Sequence, residues 1–218
     1  MEPFLSHPSL TFWVIYIALL TCFYFCDKKF EMLRDISMAD PKPYSFSRVQ
    51  LAWWTAIVLA AFISTALIQN HVPTLLDSTL YLIGISGATT AAGKVIDSSD
   101  KRNPDISRHQ DSKGDNFLLD ILSDENGISI HRFQTVVFNF AFGIGFIIHV
   151  LRQLNIHDNV VKLLNPMLDI TPNNLILLGL SSATYIGLKT TENSTSTQPP
   201  VNEFIKDEGK SDSTIPKG

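Results

Sequence analysis

The chain has 218 residues, 45% of them hydrophobic and 17% charged, with a net charge of -4 and two cysteines. An acidic balance gives a polyanion nothing to hold, and two cysteines build neither a disulfide framework nor a four-ligand zinc site. A mean hydropathy of +0.14 beside long polar stretches means that the apolar residues are gathered in blocks, which excludes an ordinary soluble enzyme.

Five apolar blocks follow one another, at 10–26, 51–68, 79–93, 135–151 and 174–188, and none has an Asp, Glu, Lys or Arg inside it. With a few interfacial residues each reaches across a bilayer core of about 30 Å, and a charge at mid-bilayer would cost at least about 2.5 kcal/mol. The pattern predicts an all-α integral membrane protein with five transmembrane helices. The first block is preceded by no Lys or Arg and followed by Asp27-Lys28-Lys29, so it reads as a retained span with its N-terminus outside. Residues 27–50, 94–133 and 189–218 hold 15 of the 17 basic residues, leaving only Arg152 and Lys162 elsewhere. The positive-inside rule then gives an N-out, C-in topology.

The sequence also duplicates itself. Leu82-Ile83-Gly84-Ile85-Ser86-Gly87-Ala88-Thr89 aligns with Leu177-Leu178-Gly179-Leu180-Ser181-Ser182-Ala183-Thr184, and the register holds to Lys94 against Lys189. Upstream, Ser45-x-x-Arg48-x-Gln50 matches Ser129-x-x-Arg132-x-Gln134. Each copy is expected to be a span outward and a small-residue span back, so the two repeats are parallel. The expected divisions are a first span and linker (1–42), repeat 1 (43–97), a cytoplasmic loop (98–127), repeat 2 (128–189) and a disordered tail (190–218). Within the loop, 117–122 is expected to form a short amphipathic helical turn.

On the returning spans, Gly84, Ala88 and Ala92 share one helical face, as do Gly179, Ala183 and Gly187, and such small-residue faces are expected to pack helices or subunits. The other face carries Ser86, Thr89, Ser181 and Thr184, a stripe that either bonds locally or lines a narrow path. Arg48, Gln50, Lys94, Arg132, Gln134 and Lys189 are placed at the cytoplasmic interface, in contact with anionic lipid or as a ring that meets a partner. Ser47 and Gln50 have the spacing of a capping box. Trp53, Trp54 and Tyr44 are expected as interfacial anchors. Cys22 and Cys26 lie one turn apart as small apolar packers, Cys26 being a candidate for palmitoylation. Gly84-Ile85-Ser86-Gly87 is similar to the G-x-S-G of rhomboid intramembrane proteases. However, His149, the one histidine inside a span, lies near the outer end of its helix while Ser86 is about 10 Å deep, and the second copy has no histidine to serve it, so no catalytic residue is assigned. The six histidines have no ligand spacing, and no metal or cofactor is expected.

The Ser-x-x-Arg-x-Gln approach, the Gly-Ile-Ser-x-x-Thr return and the stretch from Phe117 to Gln134 resemble a family of uncharacterised bacterial membrane proteins. That resemblance implies a bacterial inner membrane and carries no activity. The reading that results is a non-enzymatic, oligomeric scaffold or anchor that recruits a cytoplasmic protein. The alternative is a homo-oligomeric channel or pore-forming effector of a stress or defence response. The expected partners are the lipid bilayer, a second copy of the chain and a cytoplasmic protein, with no nucleic acid.

Overall fold

The structure, a computed structural model, describes residues 7–70, 72–102, 113–114, 116–124, 127–155 and 170–192. It is mostly helical. The helices are α1 (Pro8–Phe30), α2 (Phe46–Gln69), α3 (Asp77–Asp100), the short α4 (Phe117–Leu122), α5 (Ile130–Leu154) and α6 (Pro172–Glu192). A two-stranded hairpin, β1 (Ser123–Asp124) and β2 (Gly127–Ile128), joins α4 to α5.

Local chemistry sets the helix ends. Proline at the start of α1 has no N–H to leave unsatisfied, and α1 stops where Glu31 turns left-handed and donates its N–H to Asp27 O at 2.8 Å. Asn70, a residue that tolerates the left-handed region, ends α2. Asn116 caps α4 by accepting from Leu119 N at 3.0 Å.

Hydrogen bonds at the two ends of the bundle fix the direction of each long helix. At one end, Asn155 beyond α5 donates to Ser9 at the start of α1, and Ile170 N before α6 donates to Ser78 Oγ at the start of α3. At the other end, Gln50 near the start of α2 bonds to Asn139 of α5, and Lys189 near the end of α6 pairs with Asp97 near the end of α3. Helices α1, α3 and α6 therefore run one way and α2 and α5 the other. Helix α2 packs against α1, α3 and α5, while α6 packs against α3 and α5. The helix pairs α2–α3 and α5–α6 thus close into a four-helix ring, with α1 laid against α2 and α5.

The core runs along α2, where Trp54, Ala56, Ile57, Ala60 and Ala61 are fully buried against Phe12, Leu82, Phe146, Val150 and Leu178. Removing this apolar surface from water or lipid and filling it at crystal-like density is what holds α2 central. Helices α1, α2 and α5 are long and apolar enough to cross a membrane. Helix α1 turns Trp13, Val14, Ile17, Tyr24 and Phe25 outward, as a lipid-facing helix would. Helices α3 and α6, at 24 and 21 residues, are of similar length but carry more Gly, Ser and Thr. The structure thus places the chain at a membrane on the strength of three helices.

The returning helices pack on the face opposite to the one expected. Gly84 and Ala88 are exposed, a Cβ on Gly84 would meet nothing within 4 Å, and Ala183 and Gly187 are exposed likewise. Ala92 and Gly179 are half-buried, and a Cβ on Gly179 would only touch Ile85, at 3.8 Å. The buried face of α3 is Leu82, Ser86, Thr89, Gly93 and Asp97. That of α6 is Leu178, Ser181, Ser182, Tyr185 and Lys189. Serine is nearly as small as alanine. Once its hydroxyl bonds the carbonyl one turn back, it offers a neighbour a close and satisfied surface.

Candidate functional site

Buried polar groups gather at the end of the bundle where α2 and α5 begin and α3 and α6 end. The linker between α1 and α2 is the first component. Asp27 Oδ1 accepts from Leu33 N at 2.9 Å, and its Oδ2 lies 3.7 Å from Arg34 Nε. Arg34 in turn donates to Lys42 O at 2.7 Å and stacks over the ring of Tyr44 at 4.4 Å. Ser45 N donates to Leu33 O and Asp35 N to Pro43 O, both at 2.8 Å. Residues 31–45 are thereby folded back on themselves, with Lys42 also paired to Glu31.

This fold delivers Asp35 to an ion triad. Lys189 Nζ lies 2.9 Å from Asp97 Oδ1, 3.2 Å from Asp97 Oδ2 and 3.6 Å from Asp35 Oδ2. Lys189 and Asp97 are each only 2% exposed. Burial pushes Asp97 up, and Asp35 beside it adds to that against the pull of Lys189, leaving a pKa of about 7. Burial works against ionised Asp35 too, but Lys189 and a hydrogen bond from Asp97 hold it below the usual carboxylate range. Burial also opposes the Lys189 charge, but the acidic groups around it, Tyr185, Asp35 and Asp97, hold its proton more firmly than usual. Of the two carboxyl groups Asp97 is thus the one that favours its protonated form, while Asp35 and Lys189 favour their charged forms. The triad joins three separate pieces of chain: the linker, α3 and α6.

A second polar layer lies further into the bundle. Asn139 Oδ1 accepts from Trp54 Nε1 at 2.8 Å and from Gln50 Nε2 at 3.0 Å, while Asn139 Nδ2 donates to Thr135 O at 2.8 Å. Gln50 Nε2 also faces Ser182 Oγ at 3.4 Å. Among the described residues, Gln50 Oε1 is buried with no hydrogen-bond partner.

Beside this layer an apolar cleft of about 340 Å³ opens between α2, α4 and α5. Its walls include Phe46, Trp53, Phe117, Leu118, Ile121 and Phe140, and Gln50 and Asn139 also line it. Helix α4 is held over it by Ile121, which is buried with Phe46 and Tyr185, and by Asp120 Oδ2, which accepts from Tyr44 N at 3.0 Å. Phe117 and Leu118 stay exposed, 42% and 60%.

No protein-family model matches the chain, and no curated protein or solved structure is significantly similar to it.

The sequence-predicted residues are distributed unevenly over this site. Gln50 is buried in the polar layer rather than in a capping box: Ser45 is the N-cap of α2, and no side chain caps that helix. Its counterpart Gln134 is exposed. Lys189 is buried in the triad rather than reaching to lipid, whereas its counterpart Lys94 is exposed. Arg48 donates to Met32 O at 3.5 Å, and Arg132 lies over the Tyr185 ring at 5.5 Å. The hydroxyls of the polar stripe bond to their own helices, Ser86 to Leu82 O at 3.2 Å, Thr89 to Ile85 O at 2.7 Å and Thr184 to Leu180 O at 2.9 Å. Ser181 is buried. Trp54 is a fully buried core residue, not an interfacial anchor; Trp53 stacks on Phe140 and Tyr44 packs edge-on against Phe117. Of Cys22 and Cys26, the first is exposed and the second half-buried.

Asp35, Asp97 and Asn139 complete the site without belonging to any motif of the sequence. An available signal was that Asn139 is the polar amide inside an otherwise apolar block. Asp35 and Asp97 sit in polar surroundings, where a carboxylate attracts no notice. Much of the expected loop 98–127, all of the tail beyond Glu192 and residues 156–169 lie outside the described residues.

Proposed function

We propose that the chain is a multi-pass anchor in a bacterial inner membrane, with five spans, N-out and C-in, and a prefolded cytoplasmic face that docks a cytoplasmic protein. The observation that carries this reading is the folded end of the bundle. The linker, α4 and the hairpin form a cap built on a buried ion triad, and α4 holds an apolar cleft open beside two exposed hydrophobic side chains. Purely connecting loops have no need of such a cap, and protein interfaces commonly seat an apolar anchor in a pocket surrounded by polar groups.

Helix direction supports the reading of five spans. Helices α2 and α5 are both apolar enough to cross, and they start at the same end, so α3 must bring the chain back between them. At 24 residues it is about 36 Å long, sufficient for the purpose. Helix α6 runs parallel to α3 and is nearly as long. The excess of Lys and Arg at the capped end supports the cytoplasm on that side.

The pore reading receives less support from a single chain. The ring interior is filled by Trp54, Leu82, Phe146 and Leu178, and the stripe hydroxyls are bonded to their own helices. A conducting path would have to form between copies, and the exposed Gly84–Ala88 face is where copies would approach. Self-association there is compatible with the anchor reading.

Two measurements test the proposal. In a variant whose two native cysteines are replaced, a cysteine at Asn70 is expected to react with an impermeant maleimide in intact cells, and one at Lys101 only after permeabilisation. A photocrosslinking residue at Phe117 is expected to give a discrete protein adduct in cells that the same residue at Leu80 does not. Labelling of position 101 in intact cells, or adducts at both sites alike, overturns it. Ion currents from purified protein in lipid would favour the pore instead.

A further inference from the structure

The cleft has an unmet requirement that points to its occupant. Gln50 is 4% exposed and lines the cleft, yet its Oε1 accepts no hydrogen bond from the described residues. An unsatisfied buried acceptor costs about 1–3 kcal/mol. A lipid acyl chain would fill the apolar walls but has no donor to offer. An extended peptide offers both apolar side chains and backbone N–H groups.

The chain carries such a peptide at a suitable distance. Residues 193–218 are polar for most of their length, but include Val201-Asn202-Glu203-Phe204-Ile205, where three apolar side chains come together. Helix α6 ends close to the cleft. The Tyr185 ring lies 4.9 Å from that of Phe46, a wall residue, and Tyr185 is seven residues from Glu192, or about 10 Å along the helix. The eleven residues between Glu192 and Phe204 span up to about 40 Å when extended and about 20 Å on average when flexible. The extended reach of about 40 Å exceeds the roughly 10 Å of helix between Glu192 and Tyr185, and a short tether that can span to its site gives an effective concentration in the millimolar range.

We propose that the Val201–Ile205 segment docks in the cleft between α2, α4 and α5 of its own chain, with Phe204 and Ile205 against the aromatic walls and a backbone N–H on Gln50 Oε1. The segment then masks the cleft by intramolecular competition. The masking itself follows from the structure and the tail sequence, while its role as a control of partner docking rests on the function proposed above.

The test uses the purified full-length chain in phosphatidylethanolamine/phosphatidylglycerol nanodiscs, with no partner present and benzoylphenylalanine at Leu118. After irradiation and digestion, mass spectrometry is expected to find the adduct on the peptide containing Phe204, within a single chain by gel mobility. In a Phe204→Asp/Ile205→Asp background that adduct is expected to fall roughly tenfold or more, since the burial that holds the segment is lost. Both substitutions lie outside the described residues, so a cooperative thermal transition within a few °C of wild type is expected, the small fall reflecting the lost docking, and shows that the fold is intact. Adducts confined to lipid, a tail adduct joining two chains, or a tail adduct that the double substitution leaves unchanged would each overturn the proposal. A tail adduct in purified protein with no cellular adduct at Phe117 would uphold the masking and refute the partner.

Discussion

Replacing Lys189 with methionine tests the ion triad directly. The substitution keeps the aliphatic stem and removes the ammonium that sits 2.9 Å from Asp97 and 3.6 Å from Asp35. Two carboxyl groups are then left facing each other in a site where Asp97 is 2% exposed. Breaking a buried pair by deleting one partner costs about 3–5 kcal/mol, because the remaining charge is uncompensated. Net folding stabilities are commonly about 5–15 kcal/mol, so this is a large share. For a chain of this length each kcal/mol corresponds to about 2–4 °C, and a fall of roughly 10 °C in Tm is expected. The assay is thermal unfolding in nanodiscs at pH 7.5, followed by tryptophan fluorescence. Lys94→Met is the control: it occupies the aligned position of the other repeat but is exposed, so its change is expected to stay within about 0.5 kcal/mol. Adding Asp97→Asn to Lys189→Met removes one of the two stranded carboxyls and is expected to recover part of the loss. Equal melting of the Lys189→Met and Lys94→Met proteins would refute the triad as a structural tie.

Other consequences follow from the same geometry. Stability should depend on pH through Asp97. Its folded pKa of about 7 lies above the ordinary value of about 3.9, so the contribution is full in acid and is lost as pH rises through 7. Wild type is therefore expected to lose Tm relative to Asp97→Asn between pH 5 and 8; parallel curves would contradict the upward shift of Asp97. Depressed Asp35 acts oppositely, and only below about pH 4. Gly143→Ala would place a Cβ 2.5 Å from Trp53 Nε1 and 2.8 Å from two ring carbons, and that ring is already stacked on Phe140. A loss of about 1–3 kcal/mol is expected, with a shift in tryptophan emission. Asn139→Leu removes the acceptor shared by Trp54 and Gln50 and is expected to cost about 1–3 kcal/mol for each donor left unpaired, read by the same unfolding assay. At Gly84 an added Cβ meets no atom within 4 Å, so Gly84→Leu should leave the folding stability within about 0.5 kcal/mol of wild type; native mass spectrometry then reports whether copies associate through that face.

Much of the architecture was legible from the apolar blocks. Each of the five falls on one long helix of the structure, and the short amphipathic turn at 117–122 coincides with α4. Helix position follows from where apolar side chains are concentrated and where Pro, Asn and Gly interrupt them, and those are properties of the sequence alone. Burial is different, because it depends on what stands opposite. Lys94 and Lys189 are equivalent in the sequence repeat, as are Gln50 and Gln134. Only Lys189 meets two carboxylates, one delivered by a linker more than 150 residues earlier, and only Gln50 meets Asn139. The returning helices show the same limit. Glycine and serine faces are both narrow enough for close packing, and local periodicity does not choose between them. The tertiary structure does, by turning inward the faces that carry Asp97 and Lys189, where burying a charge is tolerable only if its counter-charge is buried with it.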